Sequence, residues 1–166
     1  MGNWVKLSGP SGSGKSTICK MISYKINGIE PLLSSTERDL LMRYEELLKT
    51  LLGKFQSSKC IYVGPRMTPN RYFSVSEETH DLILNVQMPR GFENVVSQGE
   101  RQRYVLLEAI STDADFFILD ECLSGVSEQH EFQILSKIYY SRKRPACLYV
   151  SHRRNVRLDP FFDMKA

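Results

Sequence analysis

Nine consecutive residues near the start of the chain, Gly9-Pro10-Ser11-Gly12-Ser13-Gly14-Lys15-Ser16-Thr17, carry the most concentrated chemistry in the sequence. They fit the pattern G-x-x-x-x-G-K-[ST]. Glycines let a backbone wrap closely round phosphates, so that successive N–H groups point inward at the anion. Lys15 is then expected to reach the β- and γ-phosphates, and the Ser16 hydroxyl to ligate Mg²⁺. The pattern also has the context it needs. Trp4 to Leu7 reads as a strand running into the turn, and Ser16 to Ile26 as a helix leaving it, with its positive end aimed at the same phosphates. The expected ligand is a nucleoside triphosphate with Mg²⁺.

A second group of carboxylates follows an apolar run. Phe116-Phe117-Ile118-Leu119 reads as a fully buried strand, and Asp120-Glu121 follow at once. A parallel strand that ends in an acid delivers a carboxylate to the carboxyl edge of its sheet, where the phosphate loop also lies. Asp120 is expected to hold Mg²⁺ through water, and Glu121 to orient and polarise an attacking water.

The elements that position these residues alternate. Cys60 to Val63 and Cys147 to Val150 read as further buried strands. Thr36 to Phe55, Glu77 to Val86, Gly99 to Ser111 and Glu128 to Tyr140 read as helices, with Arg66 to Ser74 as loop. In the first of these helices Leu40, Leu41, Tyr44, Leu47, Leu48, Leu51, Leu52 and Phe55 recur at helical spacing and are expected to face the core; Thr36-Glu37-Arg38-Asp39 offers its cap. Strands apolar on both faces, alternating with helices, predict an α/β fold with a mostly parallel sheet covered by helices. With 166 residues and no internal repeat or linker, residues 1–166 are expected to form one domain.

Composition narrows the class. Hydrophobic content of 42% and charged content of 25% are those of a soluble globular protein. A net charge of +3 is too small to argue for nucleic acid or an anionic membrane. Cys19, Cys60, Cys122 and Cys147 form no C-x-x-C pair and read as reduced thiols. No stretch approaches the ~18 apolar residues of a membrane span, and with a strand read at Trp4 no leader is expected. A cytoplasmic location is expected, with any membrane role reached through a partner.

Two further segments resemble one family. Val96-Ser97-Gln98-Gly99-Glu100-Arg101-Gln102-Arg103 resembles the L-S-G-G-Q-x-Q-R signature of ATP-binding-cassette proteins, at about the family's interval before Asp120. Tyr149-Val150-Ser151-His152 resembles the family's switch histidine, and Met88 to Val96 the exporter-type segment before the signature. With the phosphate loop and Asp120-Glu121, four motifs stand in family order. The resemblance implies a P-loop NTPase fold with a short helical insert before the signature, at about 66–98, and ATP hydrolysis by Glu121, His152 and Lys15. It implies a head-to-tail homodimer, or a pair with a related cassette. There the phosphate loop of one subunit is closed by Ser97 and the Gly99 backbone of the other, both donating to the γ-phosphate. A separate transmembrane transporter subunit is the implied partner.

The departures from the family are specific. Only eight residues precede Gly9, so the N-terminal β-subdomain with its adenine-stacking aromatic is expected to be lacking, and Trp4 reads as a strand-core residue. Tyr62-Val63-Gly64-Pro65-Arg66 stands where a magnesium-contacting glutamine is usual. Gln98 replaces the signature's first glycine, Val96 its leucine, and Ser127 the aspartate after Glu121. The family's C-terminal helices are expected to be missing. A cytosolic nucleotide-gated clamp or interaction module, in DNA maintenance or defence, stays open beside transport. So does a small-molecule kinase, with Arg66, Arg71 and Arg90 as lid residues. Arg142, Lys143, Arg144, Arg153, Arg154 and Arg157 make the last quarter basic. A solvated surface, an acidic or lipid contact, and nucleic acid all fit that run; of these nucleic acid is the least expected ligand.

Overall fold

The computed structural model describes residues 3–29, 33–52, 59–67, 97–112, 114–140, 145–153 and 161–165. The helix expected at Glu77 to Val86, most of the 66–98 insert, the Met88 to Val96 segment and the basic residues at 71, 90, 142–144, 154 and 157 lie outside them.

Five parallel strands form one sheet. They are β1 (Trp4–Ser8), β2 (Cys60–Val63), β3 (Phe116–Asp120), β4 (Ala146–Val150) and β5 (Phe161–Lys165), in the order β2-β3-β4-β1-β5. The helices are α1 (Lys15–Ile26), α2 (Ser35–Leu52), α3 (Gln98–Ser111) and α4 (Glu128–Tyr139). The α/β architecture expected from the apolar runs is present. Each of the four expected strands appears within one residue of its expected ends. β5 was not anticipated: Phe161-Phe162-Asp163-Met164-Lys165 gives only a short, mixed signal, and its partner β1 lies at the other end of the chain.

Successive residues of a strand point to opposite faces, and the sheet sorts its side chains accordingly. Phe117, Leu119, Cys147 and Tyr149 join one core with Trp4 and with Val105, Leu106, Ile134 and Leu135 from α3 and α4. Phe116, Ile118, Leu148 and Val150 join the other core with Val5, Leu7, Ile18, Ile22 and Leu41 from α1 and α2. Burial on both faces is why these strands read as continuous apolar runs. Trp4 belongs to the first core: it is buried, donates from Nε1 to the Pro145 carbonyl at 2.9 Å and packs edge-on against Tyr139.

In α2, Leu41 is buried, and Leu40 and Tyr44 pack against the second core, as the spacing requires. The cap differs from expectation. Ser34, not Thr36, opens the helix, its hydroxyl accepting from the Glu37 N–H while Glu37 Oε2 accepts from the Ser34 N–H. That is a reciprocal capping box, which sets the cap two residues before Thr36 and starts the helix at Ser35, one residue before the expected start. Because every described strand pair is parallel, the carboxyl ends of β1, β2, β3 and β4 meet at one edge. The residues that follow β1, β3 and β4 there are Gly9, Glu121 and Ser151.

Candidate nucleotide site

The phosphate loop links β1 to α1. Gly14 is the residue before the helix and sits at φ 86° and ψ 9°, with Gly12 at φ 80°. Nothing lies within 4 Å of a Cβ built at either position; the left-handed backbone, not space, requires glycine there. α1 has no side-chain cap at its start, so its first N–H groups face the loop interior with the helix's positive end. Lys15 is buried. Its ammonium donates to the carbonyls of Gly9 at 3.0 Å and Pro10 at 2.7 Å, and approaches the Ser13 hydroxyl at 3.5 Å.

A pocket of about 280 Å³ opens on this loop, lined by Ser11, Gly12, Gly14, Lys15, Ser16, Thr17, Glu121 and His152. Residues from three separate stretches of sequence thus meet in one cavity. Gly9, Pro10 and Ser13 back the loop through their contacts with Lys15. Ser97 and Gly99 are not among the lining residues; they sit at the start of α3.

Asp120 ends β3 with its carboxylate fully buried. Oδ2 accepts a hydrogen bond from the Tyr62 hydroxyl at 2.7 Å, and Oδ1 is buried without a hydrogen-bond partner among the described residues. A buried carboxylate oxygen left without a donor is costly. A hydrated divalent cation would supply the missing donors, so Asp120 and the exposed Ser16 hydroxyl fit the Mg²⁺ expected from the sequence. Burial pushes the Tyr62 phenol far above its ordinary value, and the neighbouring Asp120 charge adds to the shift.

Glu121 takes φ 50°, alone among the described non-glycine residues in having a positive φ. Such backbones cost ~1–3 kcal/mol and persist only where surrounding structure holds them. Here the Glu121 N–H donates to the Val150 carbonyl at 3.1 Å, and the Glu121 carbonyl accepts from the Ser124 N–H at 3.2 Å. The turn carries the side chain off the end of β3 into the pocket, where Oε1 meets His152 Nε2 at 2.7 Å.

The segment bearing His152 is anchored in part by Glu131 and Lys6, which sequence reasoning did not single out. Glu131 of α4 is 2% exposed. It accepts from the Ser151 hydroxyl at 3.0 Å and from Arg153 Nη1 at 2.6 Å. Arg153 Nη2 donates to the carbonyls of Ser124 at 3.1 Å and Val126 at 2.6 Å, and the Arg153 carbonyl accepts from Lys6 Nζ at 2.6 Å. Burial raises the Glu131 carboxyl above its ordinary value, while Ser151, Arg153 and Lys6 pull the other way. Arg153, grouped with the basic C-terminal run, is therefore an anchored internal cation. The signal for Glu131 was its position: three, four and seven residues before the buried Ile134, Leu135 and Ile138, it stands on the apolar stripe of α4.

α3 begins with a second capping box. The Ser97 hydroxyl accepts from the Glu100 N–H at 3.3 Å, and Glu100 Oε2 accepts from the Ser97 N–H at 2.7 Å. Hydrogen bonding from the Ser97 side chain, and then from its N–H, holds the Glu100 carboxyl below its ordinary value. Ser97 is exposed and Gly99 buried; a Cβ on Gly99 would lie 2.5 Å from the Gly125 carbonyl oxygen. Gln102, buried on α3, accepts from the Gly125 N–H at 2.7 Å and donates to the Ser124 hydroxyl at 3.0 Å. Ser127, where the family pattern has aspartate, caps α4 by accepting from the His130 N–H at 3.3 Å, a task either residue performs.

Among the described residues, no helix is long and apolar enough to cross a membrane. The ATP-dependent lipid A-core flippase of Pseudoalteromonas atlantica is 26% identical over 170 residues, covering 92% of this chain and 29% of the flippase. The chain thus spans less than a third of that relative's length. Among solved structures, a dimeric bacterial ABC transporter cassette superposes with a TM-score of 0.62 at 17% identity, over 98% of this chain and 81% of the cassette. A bacterial Atm1-family ABC exporter with ATP bound gives a TM-score of 0.59 at 16% identity, over 93% of this chain and 30% of the exporter. At such identities these two likenesses establish the fold. Residues 1–124 match the family described as ABC transporter, three-quarters of the sequence including both nucleotide motifs and the signature, and the chain belongs to that family.

Proposed function

We propose that the chain binds Mg-ATP on the Gly9 to Thr17 loop and hydrolyses it, as the nucleotide-binding subunit of a membrane transporter working as a head-to-tail dimer. One observation carries the reading: Lys15, Ser16, Glu121 and His152 line a single pocket, with Glu121 Oε1 2.7 Å from His152 Nε2. In the first step the amides of residues 12–17 and the Lys15 ammonium receive the β- and γ-phosphates. Ser16 and Asp120 would hold the magnesium, which supplies charge neutralisation on the phosphates. Glu121 accepts a hydrogen bond from the attacking water, whose oxygen bonds the γ-phosphorus as the bond to the β,γ-bridging oxygen breaks and ADP leaves. His152 fixes the Glu121 carboxylate through Nε2, next to the γ-phosphate. Ser97, exposed at the start of α3 and not among the residues lining this pocket, suits closure of a second subunit's nucleotide, with the Gly99 backbone beside it.

Glu121→Gln keeps the side chain's size and its contact with His152 while removing the base. It should lower ATP turnover by about 10²–10⁴-fold and leave ATP binding unchanged by calorimetry. An unchanged rate removes Glu121 from its role. Sizing of the same variant should give a dimer with Mg-ATP and a monomer without it; a monomer in both conditions refutes closure in trans by Ser97 and Gly99.

A further inference from the structure

Tyr62 is in register with Ile118 across the β2–β3 pair, and Asp120 lies two residues further along the same face of β3. At ~3.3 Å per residue that offset is about 6.6 Å, the reach of a tyrosine side chain leaning along its strand. Its hydroxyl meets Asp120 Oδ2 at 2.7 Å, the usual length of an O–H···O hydrogen bond. The ring takes this direction because residue 64 lacks a side chain. A Cβ on Gly64 would stand 2.9 Å from both Cε1 and Oη of Tyr62, closer than side-chain carbons tolerate. Asp120 is wholly buried, and the Tyr62 hydroxyl supplies its one side-chain hydrogen bond among the described residues, while Oδ1 has no partner.

We infer that Tyr62 is a positioning residue for the divalent cation that accompanies the nucleotide. Its hydroxyl occupies Oδ2 and fixes the carboxylate plane, so that Oδ1 is the oxygen left to the metal's hydration shell, and Gly64 keeps the ring in place to do so. The inference rests on the Mg-ATP reading above. A tyrosine that merely filled space would be replaced by phenylalanine without consequence for the metal. A positioning hydroxyl instead separates two quantities, nucleotide affinity without metal and the magnesium concentration at which that affinity improves.

The test is calorimetry of the 166-residue chain with ATP, in EDTA and across a magnesium series, for the unsubstituted protein, Tyr62→Phe and Gly64→Ala. Tyr62→Phe should bind ATP in EDTA as the unsubstituted protein does and need roughly ten- to a hundredfold more magnesium for half of the metal-dependent gain, the range for one hydrogen bond to a charged group. Gly64→Ala, which keeps the hydroxyl and displaces the ring, should shift the magnesium requirement in the same direction. Equal magnesium requirements in all three proteins overturn the inference, as does a loss of ATP affinity in EDTA that matches the loss with magnesium. If the unsubstituted chain takes up no ATP under either condition, the Mg-ATP reading itself fails and this one with it.

Discussion

Arg153→Ala tests the anchor beneath His152 without reference to nucleotide. The arginine's Nη1 is 2.6 Å from Glu131 Oε2, with the glutamate side chain 3% and the arginine side chain 29% exposed. Removing one member of a buried ion pair costs about 3–5 kcal/mol, because the remaining charge stays buried without its partner. Partial exposure of the arginine places this case near the lower end, about 3 kcal/mol. The pH dependence gives the sign. Glu131 already has a folded-state pKa above its ordinary value of 4.5, through burial, so the folded protein binds the proton more tightly than the unfolded chain. Stability from this group is therefore lost as pH rises through the folded pKa and regained as it falls toward the ordinary value. Without Arg153 the downward pull of the guanidinium is gone and only Ser151 and Lys6 oppose burial, so the folded pKa climbs further and the recovery begins at higher pH. Urea unfolding followed by circular dichroism should show the variant weakened by about 3 kcal/mol near pH ~8 and less so near pH ~5.5. Adding Glu131→Gln to Arg153→Ala should restore part of the loss at the higher pH. A single variant as stable as the parent there, or a double variant no better than the single, refutes the reasoning.

Two other substitutions have definite expected outcomes. Gly99→Ala would set a Cβ 2.5 Å from the Gly125 carbonyl oxygen, a backbone atom; expected overpacking of about 1–3 kcal/mol should lower the melting temperature, and an unchanged melt refutes the close approach of α3 to that turn. Lys15→Ala removes the cation held among the loop carbonyls, and calorimetry should show ATP affinity down by roughly ten- to a hundredfold; undiminished uptake would place the phosphates elsewhere.

What was legible in the sequence was local. The phosphate loop announces itself through glycines that must turn left-handed before a helix, and β3 and β4 through apolar runs covered on both faces. Asp120-Glu121 could be placed because a strand's end is a definite location in a parallel sheet. The contacts that were not legible depend on register and long-range pairing. Nothing near Tyr62 in sequence says that its hydroxyl meets Asp120; that follows from the alignment of β2 with β3 and the bare backbone at Gly64. Arg153 looked like one more cation in a basic run because its partner, Glu131, lies a strand and most of a helix earlier. The φ of 50° at Glu121 likewise has no local signature, since the bonds that hold it come partly from Val150.

The turn from Ser124 to Val126 shows why those unreadable contacts matter. Gln102 holds it from α3, through the Ser124 hydroxyl and the Gly125 N–H. Arg153 holds it from the segment after β4, through the carbonyls of Ser124 and Val126. Both grips fall on the same three residues, which descend directly from Glu121. The start of α3, with Ser97 and Gly99, is therefore joined to the Glu121–His152 contact through one short turn gripped on both sides. Packed elements linked in this way move together more readily than they stretch.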